Sequence, residues 1–226
     1  SARILPIKGF NVSMPYKVDI LPYLDELTPE AKLCHAVNTV KNINGKLIGH
    51  ISDGIGFVKA CQEKGWHLFQ QKVVILGAGG ACRAIVVALA QYVSEIVIYN
   101  RSQKDWVQEL NQQLTCPITL KSLSDLESLK KDLQESYLLI QTTNVGMAPD
   151  EDECLIKDDT YLPEHLKVAD IIYHPQQTKL LKMAQKRGLD FMNGEGMILY
   201  QGAESFKFWT NQEMPIEQVK KSLKME

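Results

Sequence analysis

The sequence predicts an α/β chain built on a doubly wound parallel sheet, joined to a second α/β unit, and three observations predict it. Strand-like apolar runs alternate with helical patterns from Val73 to Met192, the spacing that calls for parallel strands with helices on both faces. One of those strands, Val73–Leu76, runs straight into the glycine cluster of VVILGAGGACRA (residues 73–84) and on into a helical pattern. Ahead of them stands Asn44-Gly45 between two alternating runs, Val37–Ile43 and Lys46–Ser52, the strongest short-range signal of a β-hairpin.

Composition narrows the function classes. At 226 residues and 45% hydrophobic content the chain can bury the core of one large domain or two small ones. A net charge of -2 supplies no global basic field for nucleic acid or a membrane surface. Cys34, Cys61, Cys82, Cys116 and Cys154 are odd in number and show no C-x-x-C spacing, so they read as scattered reduced thiols of a cytoplasmic protein. The histidines form no H-E-x-x-H cluster, and no metal is expected. No apolar run is long enough for a membrane span, and no stretch reads as a signal peptide. A small molecule is the expected partner, with no nucleic acid and no membrane.

Taken in order, Gly9–Val12 is a short strand. Ser13-Met14-Pro15-Tyr16-Lys17 then opens a helix to about Leu24, with Ser13 as N-cap and Pro15 in its first turn. By itself Lys17 is an ordinary exposed helix lysine. Thr28 caps a second helix at Pro29-Glu30. In the hairpin a two-residue loop sets the register, so Asn38 faces Ile51 and lies close to Ser52-Asp53-Gly54. An amide, a hydroxyl and a carboxylate are thereby brought together. Read singly, Asn38 satisfies a sheet edge and Asp53 caps a helix over Gly56–Lys64, which Gly65 ends.

The glycine cluster has the strand–turn–helix context in which G-x-G-x-x-G carries meaning: backbone approaches a diphosphate and the helix N-terminus offers N–H donors. Gly77 and Gly79 fill the first two positions and Cys82 the third, with Ala81, Ile85, Ala88, Leu89 and Tyr92 on one helix face. The next strand, Glu95–Tyr99, ends at Asn100-Arg101-Ser102 with Lys104 beyond. A Rossmann unit for NAD places an acid about 20 residues past the glycines. Guanidinium, hydroxyl and ammonium groups suit a 2′-phosphate instead, which favours NADP over NAD. The other reading of this stretch is a solvated basic turn. Trp106, Leu110 and Leu114 mark a helix, Thr119–Lys121 a strand, Asp125–Leu133 a helix and Tyr137–Gln141 a buried strand. Its loop, Thr142–Met147, is expected at the cofactor crevice. The acidic run Asp150–Asp159 reads as a solvated loop. Val168–Tyr173 is a strand stopped by His174-Pro175, Thr178–Arg187 a helix closed by Gly188, and Leu189–Met192 a last strand. A final helix, Met197–Trp209, carries Met197, Gln201 and Phe208 near one face; there Gln201 needs a partner, either a core polar group or a ligand.

Asn11–Lys17 (NVSMPYK), Ala36–Val40 (AVNTV), Ser52–Gly54 (SDG), Gly77–Ala84 (GAGGACRA), Asn100–Ser102 (NRS), Gly146-Met147 and Gly196–Gln201 (GMILYQ) with Gly202-Ala203 follow one another in an order that resembles the shikimate dehydrogenase family, including its quinate/shikimate branch. The resemblance spans essentially the whole chain. It implies residues 1–64 as the remainder of a substrate-binding domain, 65–195 as an NADP-binding Rossmann domain, and 196–226 as helices returning to the substrate domain. It implies reduction of 3-dehydroshikimate to shikimate with NADPH, in aromatic amino-acid biosynthesis. Lys17 and Asp53 take the catalytic positions, and Ser13, Asn38 and Gln201 the contacts to the ring hydroxyls. Gly77, Ala78, Gly79, Gly80, Ala81, Asn100, Arg101 and Ser102 take the cofactor contacts, and Thr143, Gly146 and Met147 the loop near the nicotinamide. Four residues depart from the family pattern: Ser13 where Thr is common, and Ile51, Gln141 and His174 where Asn is common. Ser13 leaves room for quinate's extra hydroxyl. The family's opening strands and helix, with a serine pair for the substrate carboxylate, are absent, so an incomplete substrate domain is expected. Two other readings accompany this one: a quinate/shikimate dehydrogenase using NAD or NADP, and a catalytically silent NADP-binding regulatory module.

Overall fold

Residues 2–223 are described by a computed structural model and fold around two sheets. The first sheet contains β1 (Gly9–Asn11), β2 (Glu26–Leu27), β3 (Thr39–Ile43) and β4 (Lys46–His50), in the order β1-β3-β4-β2. The hairpin of β3 and β4 has the predicted register, pairing Thr39 with His50 and Ile43 with Lys46. Asn44 and Gly45 have φ of 52° and 89°, the left-handed pair that a tight two-residue turn requires. α1 (Pro29–Cys34) starts at Thr28, whose hydroxyl accepts from the Ala31 N–H at 3.4 Å.

The helix expected from Ser13 to Leu24 does not form. Residues 14–20 make successive turns, and only Leu21–Tyr23 closes a short 3-10 helix. The Lys17 carbonyl accepts from the Val37 N–H at 2.8 Å, so a tertiary bond claims an acceptor that a helix would use. A short isolated helix is too marginal to compete. Ser13 therefore caps nothing; its hydroxyl reaches only the Met14 carbonyl, at 3.5 Å. α2 (Asp53–Glu63) begins three residues earlier than expected, because the Ser52 carbonyl already accepts from Gly56 N–H at 2.9 Å. Asp53 sits inside its first turn and is no cap.

The second sheet is built from β5 (Lys72–Leu76), α3 (Gly80–Leu89), β6 (Glu95–Asn100), α4 (Asp105–Asn111), β7 (Ile118–Ser122), α5 (Leu126–Glu135), β8 (Leu138–Gln141), β9 (Lys167–Asp170), α6 (Lys179–Lys186) and β10 (Phe191–Met192). Its six strands are all parallel, in the order β10-β9-β8-β5-β6-β7. β5 lies between β6 and β8, so the order reverses there, and the crevice at the carboxyl ends of β5 and β8 is the place for a dinucleotide. Element ends shift from those expected, and the acidic loop is less solvated than it reads. α4 stops before Leu114. β9 stops at Asp170, whose Oδ1 accepts from the Ile172 N–H at 3.0 Å and turns the chain. The acidic loop is pinned by Cys154 and Ile156, both buried.

Side chains alternate as the pleat demands. Val73 and Ile75 face a core with α3, while Val74 and Leu76 face another with α5 and α6. The first core continues without a break through Phe57 and Val58 of α2 to Val40 and Leu47 of the first sheet. α7 (Glu195–Thr210) runs back along α2, and α8 (Ile216–Leu223) follows it. At Gly56 a Cβ would stand 2.5 Å from the Gln201 nitrogen, so glycine permits this crossing. Trp209 Nε1 donates to the Val40 carbonyl at 2.9 Å, fixing α7 to β3. Gln201 is thereby carried beside the start of α2. Among the described residues no helix is long and apolar enough to cross a membrane, and no group of His, Cys, Asp and Glu is arranged for a metal ion.

Candidate active site

Two adjoining cavities share Met14, Lys17 and Asp53 in their walls. The first, of about 620 Å³, is lined by the Gly77–Ala81 turn, by Asn100, Arg101, Ser102 and Lys104, and by Thr142–Asn144. The second, of about 510 Å³, is lined by Ser13, Asn38 and Gln201 with Asn11, Tyr173 and Met197. Both lie in the size range of small-molecule sites.

Lys17 Nζ donates to Asp53 Oδ2 at 2.6 Å, and Asn38 Nδ2 donates to Asp53 Oδ1 at 2.8 Å. The side chains of Lys17 and Asp53 are 25% and 12% exposed, enough to meet a ligand yet shielded from the screening that surface pairs suffer. The orientation of Asn38 follows from its neighbour. Ser52 N–H can only donate and lies 2.9 Å from Asn38 Oδ1, so the amide NH2 must face Asp53. That NH2 has three acceptors in reach for two protons: Asp53 Oδ1, Ser52 Oγ at 3.0 Å and Gln201 Oε1 at 3.2 Å. The longest of these contacts is to Gln201, which lines the second cavity and can turn to a ligand. Gln201 thus has the core polar partner that its apolar helix face demanded and an open side as well.

Behind this pair lies a buried hydroxyl cluster that the sequence reading missed. Ser205 Oγ is 2.7 Å from Thr39 Oγ1 and 3.2 Å from Ser52 Oγ. Ser205 stands one helical turn after Gln201, and that spacing was the available signal. Asn11 and Tyr173 were also unforeseen as wall residues.

At the other cavity, Gly77 has φ of +94°, and a Cβ there would approach Thr143 Cγ2 to 2.5 Å. Gly79 and Gly80 have open space where a Cβ would point, and the N-terminus of α3 carries no side-chain cap. Uncapped N–H groups at an open helix start suit a diphosphate. Cys82 occupies the third fingerprint position fully buried beside the Thr142 hydroxyl, where a small side chain fits. Asn100 Nδ2 donates to the Ser102 carbonyl at 2.8 Å and shapes the basic turn. Thr143 lines the cleft with Thr142 and Asn144, the near part of the loop expected at the crevice. Gly146 and Met147 lie farther along the loop and line neither cavity. The residues present fit NADP: an open helix start for the diphosphate, and Arg101, Ser102 and Lys104 for a 2′-phosphate.

Asp170, at the end of β9, is the perturbed acid of this region. Burial pushes its carboxyl up to about 6, against the pull of donors from Ile172 N–H and the Thr178 hydroxyl.

Three family models match the chain: the shikimate dehydrogenase substrate binding domain over residues 1–40, shikimate / quinate 5-dehydrogenase over residues 59–147, and the shikimate 5′-dehydrogenase C-terminal domain over residues 194–224. The chain is 41% identical to the shikimate dehydrogenase (NADP(+)) of Listeria monocytogenes, over 98% of this chain and 78% of the relative. It is 45% identical to that of Streptococcus pyogenes, over 96% and 78%. The crystal structure of the Listeria monocytogenes shikimate 5-dehydrogenase in complex with shikimate and NAD superimposes with a TM-score of 0.93, at 41% identity, covering 98% of this chain and 79% of that one. With both cavities, the pair between them and these likenesses in agreement, the chain belongs to the shikimate dehydrogenase family.

Proposed function

We propose that this chain reduces 3-dehydroshikimate to shikimate with NADPH, and that Lys17 and Asp53 act at the reacting oxygen. The observation that carries the reading is the Lys17–Asp53 pair in the wall common to both cavities. NADPH, held by the Gly77–Ala81 turn and by Asn100, Arg101, Ser102 and Lys104, supplies the hydride. As negative charge develops on the substrate carbonyl oxygen, the Lys17 ammonium stabilises it and delivers the proton. Asp53 keeps the ammonium aimed at that point. Because Asn38 donates to the other carboxylate oxygen, Asp53 is held by a donor on each side. Ser13, Asn38 and Gln201 offer neutral donors and acceptors to the ring hydroxyls.

The division into a substrate domain (1–64 with 196–226) and a cofactor domain (65–195) follows this assignment, with the cleft between them. Five free, buried cysteines agree with a reducing, cytoplasmic setting. The contact between Lys17 and Asp53 argues against a silent binding module, and relatives named for NADP(+) argue against the NAD-using branch.

The test is a nicotinamide absorbance assay crossing shikimate and quinate with NADP and NAD. Shikimate with NADP is the expected pair; faster turnover of quinate would overturn the substrate assignment. Lys17→Ala is expected to lower turnover about 10²–10⁴-fold with NADP binding unchanged. Activity that survives the substitution would remove Lys17 from the chemistry.

A further inference from the structure

Gln141 closes β8 and is 3% exposed. Its side-chain oxygen accepts from the Thr143 N–H at 2.9 Å and from the Thr143 hydroxyl at 2.9 Å. Its nitrogen donates to the Val145 carbonyl at 2.9 Å and to the Thr143 carbonyl at 3.3 Å. A primary amide has two donor and two acceptor sites, and here all four are spent on one loop, residues 142–146. The loop's start is tied to β5 by the Thr142 hydroxyl, which donates to the Leu76 carbonyl at 2.8 Å. Its Thr142–Asn144 portion forms the wall of the cofactor cleft on the β8 side, while Gln141 itself lies beneath and outside that wall. The basic turn of Asn100, Arg101 and Ser102 stands on the β6 side, across β5. A dinucleotide whose adenosine end lies on the β6 side must therefore present its nicotinamide half to this loop and to Lys17 and Asp53.

We infer that Gln141 is a positioning residue for the nicotinamide half of the cofactor. It acts through Thr143 and never touches the cofactor. The amide is specific to the task. A carboxylate would face the Thr143 and Val145 carbonyls without a proton to offer. Asparagine, common here in the family, is one bond of about 1.5 Å shorter, so the four bonds as they stand in this loop belong to the longer amide. Methionine fills the volume and makes none of the four bonds. The inference rests on the proposed use of NADP.

The test compares two ligands by calorimetric titration of the full chain: NADP(+), and adenosine 2′,5′-bisphosphate, which lacks the nicotinamide. In Gln141→Met the bisphosphate is expected to bind as in wild type, while NADP(+) weakens about tenfold from the lost hydrogen bonds. Turnover of shikimate should fall by about 10- to 100-fold from misplacement of the reacting ring, with KM for shikimate unchanged. Equal weakening of both ligands would overturn the inference, since a general structural defect produces that pattern; so would unchanged NADP(+) binding and turnover. Gln141→Leu, which likewise makes none of the four bonds, is expected to show the same pattern and serves if the methionine variant does not fold. If wild type binds NADP(+) and turns over no shikimate, the substrate reading fails, and the binding contrast still decides the role of Gln141.

Discussion

Arg101, Ser102 and Lys104 present guanidinium, hydroxyl and ammonium groups to the cofactor cleft at the end of β6. Charge-assisted hydrogen bonds of this kind are worth about 1.5–3 kcal/mol each. Arg101→Ala should therefore weaken NADP about 10- to 100-fold and leave NAD nearly untouched. Trp106, whose indole donates to the Ala78 carbonyl of the glycine turn at 3.3 Å, offers a fluorescence reporter for both titrations. Equal weakening of the two cofactors would refute a 2′-phosphate clamp. Asp170 yields a prediction of pH dependence. Burial raises its carboxyl from 3.8 to about 6 in the folded chain, so the folded state favours the protonated acid. Its contribution to stability is fully present below pH about 4 and is lost as pH rises to about 6, a change on the order of 3 kcal/mol at most. Asparagine at this position keeps an acceptor for Ile172 N–H and carries no charge. The unfolding free energy of wild type relative to Asp170→Asn should thus fall between pH 4 and pH 6 and stay flat above. A difference independent of pH in urea titrations would contradict the assignment. At this scale Asp53, Asn38 and Ser52 were legible, because a two-residue turn dictates register. Ser205 shares a helix face with Gln201, but its partners Thr39 and Ser52 lie far off in sequence and meet it only when α7 packs.

α2 and α3 touch through backbone at Gly54, where a Cβ would lie 2.0 Å from the Ala84 carbonyl oxygen and 2.9 Å from Ala88 Cβ. Asp53 is the preceding residue, so this contact helps set where the carboxylate stands. Gly54→Ala must push the helices apart. It should cost about 1–3 kcal/mol in urea unfolding, as overpacking does, and should lower turnover with it. Wild-type stability and wild-type turnover in that variant would show that the helices do not meet this closely in solution. The elements also show where local signals fail. Ser13, Pro15 and Lys17 spell a helix start, yet the Lys17 carbonyl pairs with Val37 and the segment becomes turns. The departure matters for function, because it is this irregular run that brings Lys17 within 2.6 Å of Asp53. By contrast β5, its glycine turn and α3 appear as read, since strand periodicity, positive φ at Gly77 and helix periodicity all act within a dozen residues.

Across the whole molecule one apolar core joins both sheets, and all five cysteines are free and buried. Burial pushes every one of their thiols up, Cys34 to about 12. The thiolate is the reactive form. A disulfide reagent at neutral pH should therefore modify none of the five in the folded chain and all five after denaturation. Rapid labelling of any native thiol would show that its cover opens.

The sequence by itself determined the alternation of strands and helices, the hairpin register and the glycine turn, because each is set by contacts between near neighbours along the chain. Only the tertiary structure decided that Lys17 and Gln201 join Asp53 and Asn38 in one site. Their meeting depends on α7 crossing α2 at Gly56 and on a backbone bond from Val37 to Lys17. Such contacts between distant segments are chosen by packing, which leaves no periodic trace in the residues that make them.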